Sequence, residues 1–164
     1  MKYLLCMRHA KSDWAQDLPD YERPLNKRGR RDAPKMARAL LELGFIPEKA
    51  FISSAQRTRE TFQRMQPVFE DTELTIESSY HSSLYHSGLG SVQSVIDQEW
   101  TDTNTILLIG HNPGWSSMVS RLCNRSIEMT TANIVVLSSA HSTWHGAIRS
   151  LDWTFVEHLF PREL

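Results

Sequence analysis

The stretch Tyr3-Leu4-Leu5-Cys6-Met7-Arg8-His9-Ala10 decides how this chain folds. Its short apolar run reads as a β-strand, and the run stops on an arginine and a histidine. A strand that ends this way delivers a guanidinium and an imidazole to the carboxyl edge of a sheet, where open α/β sheets seat their ligands. Two later segments repeat the arrangement. Ser53-Ser54-Ala55-Gln56-Arg57 follows Ala50-Phe51-Ile52, and Gly110-His111-Asn112-Pro113-Gly114 follows Thr105-Ile106-Leu107-Leu108-Ile109. Three strand ends therefore converge on Arg8, His9, Arg57 and His111.

Outward from these segments the chain alternates strands and helices. The first strand covers about residues 2–9, and Ala10 to Pro24 reads as a loop. Asn26 caps a helix running to Gly44, because Ala33, Met36, Ala37, Leu40 and Leu41 recur at helical spacing. Pro34 inside that pattern leaves open a start nearer residue 32. A second strand at about 50–53 leads to a helix from Ala55 to about Met65. Leu74 to Glu77 alternates as a short strand, and Tyr80 to Gly90 reads as loop. A helix from about Ser91 to Trp100 sets Val92, Val95, Ile96 and Trp100 on one face. The run at about 104–110 is continuously apolar, as in a strand buried on both faces of a parallel sheet. Pro113 then opens a helix to Cys123. Ala132 to Ser138 and Ala147 to Phe155 close the chain as strands. This order predicts an α/β fold: one three-layer domain over residues 1–164, with a mostly parallel sheet flanked by helices.

The 164 residues suffice for one core, and 40% hydrophobic with 23% charged residues is a globular composition. A net charge of −1 gives no pull toward nucleic acid or an anionic membrane. Lys27, Arg28, Arg30 and Arg31 form a basic cluster that reads as a solvated helix face. Cys6 and Cys123 provide neither a disulfide framework nor a CxxC zinc motif. The first strand begins almost at Met1, and no apolar run approaches ~18 residues, so a cytoplasmic setting is expected. Gly88-x-Gly90 lacks the third glycine of a dinucleotide fingerprint.

The paired arginines and histidines suit phosphoryl transfer without a metal. Charge spreads over three equatorial oxygens in such a transition state, and two planar guanidinium forks can hold them. A neutral imidazole, either His9 or His111, can attack in line and form a covalent phosphohistidine. The other, when protonated, donates to an equatorial oxygen. Backbone N–H groups at the Pro113 helix start also favour an anion.

Arg8-His9, Ser53-x-x-x-Arg57 and Gly110-His111-Asn112-Pro113-Gly114 together resemble the histidine phosphatase superfamily, which is phosphoglycerate mutase-like. Arg8 to Trp14, with Asp20-Tyr21-Glu22-Arg23-Pro24-Leu25-Asn26-Lys27-Arg28-Gly29, is similar to its SixA branch of small phosphohistidine phosphatases. The resemblance extends from Met1 to about residue 155. It implies a phosphoglycerate mutase-like sheet, His9 as nucleophile, Arg8 and Arg57 on the phosphoryl oxygens, His111 completing the pocket, and neither metal nor other cofactor. Ser12 and Asn112 either support the substrate or serve local turn chemistry. Arg23 either reaches the pocket from its loop or pairs with Asp20.

Many family members carry a carboxylate after the third strand that protonates the leaving group. Here Ser82-Ser83-Leu84-Tyr85-His86-Ser87-Gly88 contains no Asp or Glu. Alcohols leave poorly without an acid, whereas imidazole, with a reference pKa of ~6.5, leaves readily. The segment therefore favours phosphohistidine on a protein over a sugar phosphate, with His81, His86 or a distant carboxylate as possible donors. Short loops imply an open pocket, with Trp14 and Tyr80–Tyr85 at its rim. The competing expectations are a small-molecule phosphomonoesterase acting on phosphate esters at the same site, and a phosphate-binding module without turnover.

Overall fold

In the computed structural model, which describes residues 1–164, six strands form one sheet. In chain order these are β1 (Lys2–Arg8), β2 (Lys49–Ser53), β3 (Glu77–His81), β4 (Thr105–Gly110), β5 (Ile134–Ser139) and β6 (Thr154–Leu159). The spatial order is β3-β2-β4-β1-β5-β6. β1 to β4 run parallel, β5 runs antiparallel to β1, and β6 runs antiparallel to β5. The mostly parallel, helix-flanked α/β architecture is the one the sequence predicts.

Side chains alternate across the sheet, so each central strand feeds two cores. Leu4 and Cys6 of β1 join Phe51, Ile106, Leu108, Val135 and Leu137 on one face. That face is covered by α3 (Leu89–Gln98), α4 (Gly114–Cys123) and α5 (Trp144–Arg149). Leu5 and Met7 join Ala50, Ile52, Leu107, Ile109, Ile134 and Val136 on the other face, under α1 (Lys27–Leu43) and α2 (Gln56–Glu70). Burial on both faces explains why β4 is apolar at every position but its ends.

Asn26 caps α1 by accepting from the Gly29 amide, and Gly44 ends it at φ 80°. Pro34 sits inside this helix without delaying its start to residue 32. Several boundaries differ from the sequence expectation. α2 continues past Met65, through Pro67, to Glu70. The third strand lies at Glu77–His81 instead of 74–77, because the backbone pairs with β2 only from Glu77, opposite Lys49. Leu74 and Ile76 still pack their side chains on the core. Tyr80 and His81 are therefore strand, and the expected loop is shortened further by a 3-10 turn at Ser82–Leu84. α3 stops at Gln98, leaving Trp100 exposed beyond it.

The stretch expected as a strand from Ala147 to Phe155 is instead the end of α5 followed by β6. Trp144, Ala147 and Ile148 are buried at i, i+3 and i+4, a helical spacing. Thr143 caps the helix by accepting from the Gly146 amide. No helix is long and apolar enough to cross a membrane.

Candidate active site

The three adjacent strands β2, β4 and β1 bring the expected side chains to one sheet edge. Arg8 pairs with Gly110 in register, and the His9 amide donates to the Gly110 carbonyl at 3.1 Å. This sets His9 beside His111, with ring centroids 5.3 Å apart. Arg57 comes from the first turn of α2, and Thr61 ties that helix to the nucleophile segment. Its hydroxyl donates to the Arg57 carbonyl at 2.7 Å and accepts from the Ala10 amide at 3.0 Å. The four residues line one cavity of about 310 Å³, together with Ser12, Trp14, Asp20, Arg23, His86 and Asn112.

His9 is 6% exposed, and its Nδ1 lies 2.7 Å from the Ala10 carbonyl. A carbonyl can only accept, so Nδ1 carries the proton and the Nε2 lone pair is left available. Burial is the chief cause that lowers the His9 pKa to about 3, reinforced by the positive charges of Arg57, Arg8 and Arg23. His111 is brought down to about 2 by burial first, then by His9 and Arg57. Its Nε2 lies 2.8 Å from Ser53 Oγ, which also accepts from the Ala55 amide at 3.4 Å. Where the Ser53 hydroxyl donates to Nε2, the His111 proton sits on Nδ1. That atom has no partner in the protein, and neither do Arg8 Nε and Arg57 Nε, although all three are buried. Buried donors of this kind normally find a partner, and three together beside a basic cavity suit a multivalent anion.

Both imidazoles are thus expected to stay neutral from about pH 8 to about pH 5, because a depressed pKa defers protonation until the pH falls through the lowered value. Two-bond ¹⁵N–¹H spectra of the histidine rings check this. A His9 ring that titrates in the usual imidazole range contradicts the burial argument.

Arg23 both reaches the cavity and pairs with Asp20. It donates to Ser12 Oγ at 2.8 Å and to Asp20 Oδ1 at 2.9 Å, and it lines the cavity with Trp14 stacked 3.5 Å from its guanidinium. Trp14 is 71% exposed and forms the rim. Asn112 is engaged locally: its amide donates to the Met129 carbonyl at 2.7 Å, and its oxygen accepts from Ser116 N and Oγ. Arg8 donates to the same Met129 carbonyl at 3.1 Å. Asn112 therefore fixes the segment that supports Arg8. Ser12 is likewise spent on orienting Arg23.

Asp20 occupies the centre of the site, and the sequence reading offered it only as a partner of Arg23. Its Oδ2 accepts from Arg57 at 3.0 Å, from the Tyr85 hydroxyl, and from His86 Nε2 at 3.1 Å. Its backbone carbonyl accepts from the other Arg57 nitrogen at 2.7 Å. Burial pushes this carboxyl up, but hydrogen bonds from Tyr85, Arg23 and Arg57 outweigh it and hold the group well below the usual carboxylate range. The segment 82–88 carries no carboxylate of its own, yet Asp20 reaches its Tyr85 and His86 across 65 and 66 residues of sequence. The site is therefore not free of carboxylates, as the loop alone suggested. No group of three or more His, Cys, Asp or Glu side chains is arranged to hold a metal ion.

Known proteins share both sequence and fold with this chain. Residues 4–81 match the model of the histidine phosphatase superfamily (branch 1). An uncharacterised chloroplast protein of Arabidopsis thaliana is 36% identical over 151 residues, covering 88% of this chain and 69% of that protein. An uncharacterised protein of Mycobacterium tuberculosis is 31% identical over 121 residues, covering 73% and 72%. Among solved structures, a SixA protein of Agrobacterium tumefaciens superposes with a TM-score of 0.81 at 23% identity over 98% of each chain. The protein histidine phosphatase SixA complexed with tungstate gives 0.78 at 20% identity, also over 98% of each. The matched family segment spans β1 to β3 and so includes Arg8, His9 and Arg57, while the fold carries His111 to the same sheet edge. On these grounds the chain belongs to the histidine phosphatase superfamily.

Proposed function

We propose that this protein is a phosphatase that removes the phosphoryl group from phosphohistidine on proteins, through a covalent intermediate on His9. The observation that carries the reading is the His9 ring. It is buried and neutral, its Nδ1 proton is held by the Ala10 carbonyl, and its free Nε2 shares a cavity with unpartnered donors of Arg8, Arg57 and His111.

In the first step His9 Nε2 attacks phosphorus as the bond to the leaving group breaks. Arg8, Arg57 and His111 Nδ1–H hold the equatorial oxygens, where charge collects in the transition state. Arg57 exchanges its contact with Asp20 for the phosphoryl group. In the second step water attacks the phosphorus and returns the electron pair to His9 Nε2.

The fold likeness to proteins named SixA supports phosphohistidine as the substrate, and the tetrahedral oxyanion tungstate in one of them supports a phosphoryl-binding site. The mouth of the site, rimmed by the exposed Trp14 with no inserted subdomain to enclose a metabolite, also supports phosphohistidine. A substrate panel tests this: phosphohistidine-bearing proteins, p-nitrophenyl phosphate and common sugar phosphates, compared by kcat/KM. The phosphoprotein is expected first and sugar phosphates last. A sugar phosphate at the top of the series instead assigns the site to small-molecule phosphomonoesters. EDTA is expected to leave the rates unchanged, since Arg8 and Arg57 supply the positive charge. A requirement for added magnesium or zinc contradicts that division of labour.

A further inference from the structure

His86 has an unusual backbone and a committed side chain. It adopts φ 48°, a left-handed conformation that histidine enters more readily than most residues other than glycine. The following loop is fixed by Gly114 at the start of α4, where any Cβ would collide with the Ser87 carbonyl. In this position the His86 ring lies 4.1 Å from Tyr85 and 5.3 Å from His111 by centroid, and it lines the same cavity as His9. Asp20 Oδ2 faces its Nε2 at 3.1 Å. An ionised carboxylate only accepts, so Nε2 carries a proton and Nδ1 is the nitrogen left to exchange one.

We infer that His86, oriented by Asp20, is the acid that protonates the leaving group and the base that then activates water. The inference rests on the reading of His9 as nucleophile. As the His9 Nε2–phosphorus bond forms, the bond from phosphorus to the leaving nitrogen or oxygen breaks. His86 enters this step as the imidazolium, with one proton on Nε2 toward Asp20 and a second on Nδ1, and the electron pair of the breaking bond goes to the leaving atom as that atom takes the Nδ1 proton. In the second half, water oxygen bonds to phosphorus, its proton passes to His86 Nδ1, and the pair of the breaking bond returns to His9 Nε2. The products are the protonated leaving group and inorganic phosphate, with both histidines restored.

The neighbouring groups do not fill this role. Asp20 receives donors from Arg23, Arg57, Tyr85 and His86 and stays ionised. The Tyr85 proton is given to Asp20, and burial together with that carboxylate raises the phenol pKa. Arginine does not release a proton in proteins.

The test is His86→Asn, because asparagine tolerates the left-handed backbone and offers no titrating proton. The kcat/KM is measured for aryl and alkyl phosphates of increasing leaving-group basicity, with circular dichroism to confirm folding. The loss is expected to grow along the series, reaching about 100-fold or more for the most basic leaving group and least for p-nitrophenyl phosphate. Added imidazole is expected to restore alkyl phosphate turnover in His86→Gly, whose backbone is also at ease there. An equal loss for every substrate, or none, overturns the assignment to His86 while leaving the His9 reading intact. If the wild-type protein hydrolyses no member of the series and none of the phosphoproteins, the proposed function falls and this inference falls with it.

Discussion

His9→Ala is expected to abolish phosphatase turnover while the protein stays folded. The side chain lies one residue beyond β1, at the sheet edge and outside both apolar cores. Its removal deletes one hydrogen bond to a neighbouring carbonyl and the ring's contact with His111. The adjacent His111 is not free to take over the attack. The His111 Nε2 is engaged by Ser53, and its Nδ1 carries the proton on the arrangement above. Steady-state assays with the best substrate of the panel, alongside thermal unfolding, measure the two effects separately. Near-normal turnover in this variant moves the nucleophile to another residue, with His111 the first to consider.

Arg57→Lys is expected to lower activity by roughly a hundred- to a thousandfold although the charge is kept. Arg57 is 2% exposed, and its two terminal nitrogens already address Asp20 in parallel, one to the backbone carbonyl at 2.7 Å and one to the carboxylate at 3.0 Å. That fork geometry is what a phosphoryl group would exploit, and an ammonium offers only a point charge. Losing one transition-state donor costs about 2.7–4 kcal/mol. The loss should fall mainly on kcat, because the contact tightens as charge develops on the transferring oxygens. A lysine variant within a few-fold of wild type removes Arg57 from the phosphoryl site and turns attention to Arg59, whose guanidinium lies over Tyr80.

The fold and the four central side chains were legible because they are encoded locally. Arg8 and His9, and likewise His111, follow directly on apolar strands, and a parallel sheet brings such strand ends together whatever the intervening chain does. Asn26 and Gly44 marked α1 by capping chemistry, which is also local. Helix α5 was missed because Ala147 and Ile148 were read as the start of a strand, although Trp144 and Thr143 just before them carry the helical spacing and the cap. The third strand slipped because Leu74 and Ile76 bury their side chains without joining the ladder.

Asp20 was hard to place at the centre of the site for a different reason. Its partners Arg57, Tyr85 and His86 come from distant parts of the chain, and only the folded sheet brings them against the loop at 20–22. The Asp20-x-x-Arg23 spacing revealed one of its contacts, which is a local i,i+3 pair. The others depend on tertiary structure and leave no periodic trace. The same holds for Ser53 on His111 and for the Met129 carbonyl that anchors Arg8.

The central claim is that His9 becomes phosphorylated during turnover, and trapping that intermediate tests it most directly. The protein is mixed with ³²P-labelled substrate, quenched within the first turnover, and the label is mapped by proteolysis and mass spectrometry. The account predicts one phosphate on His9, labile in acid and stable in base, absent from His9→Ala. An acid-stable label, a label on another residue, or release of phosphate with no labelled enzyme at any quench time contradicts it.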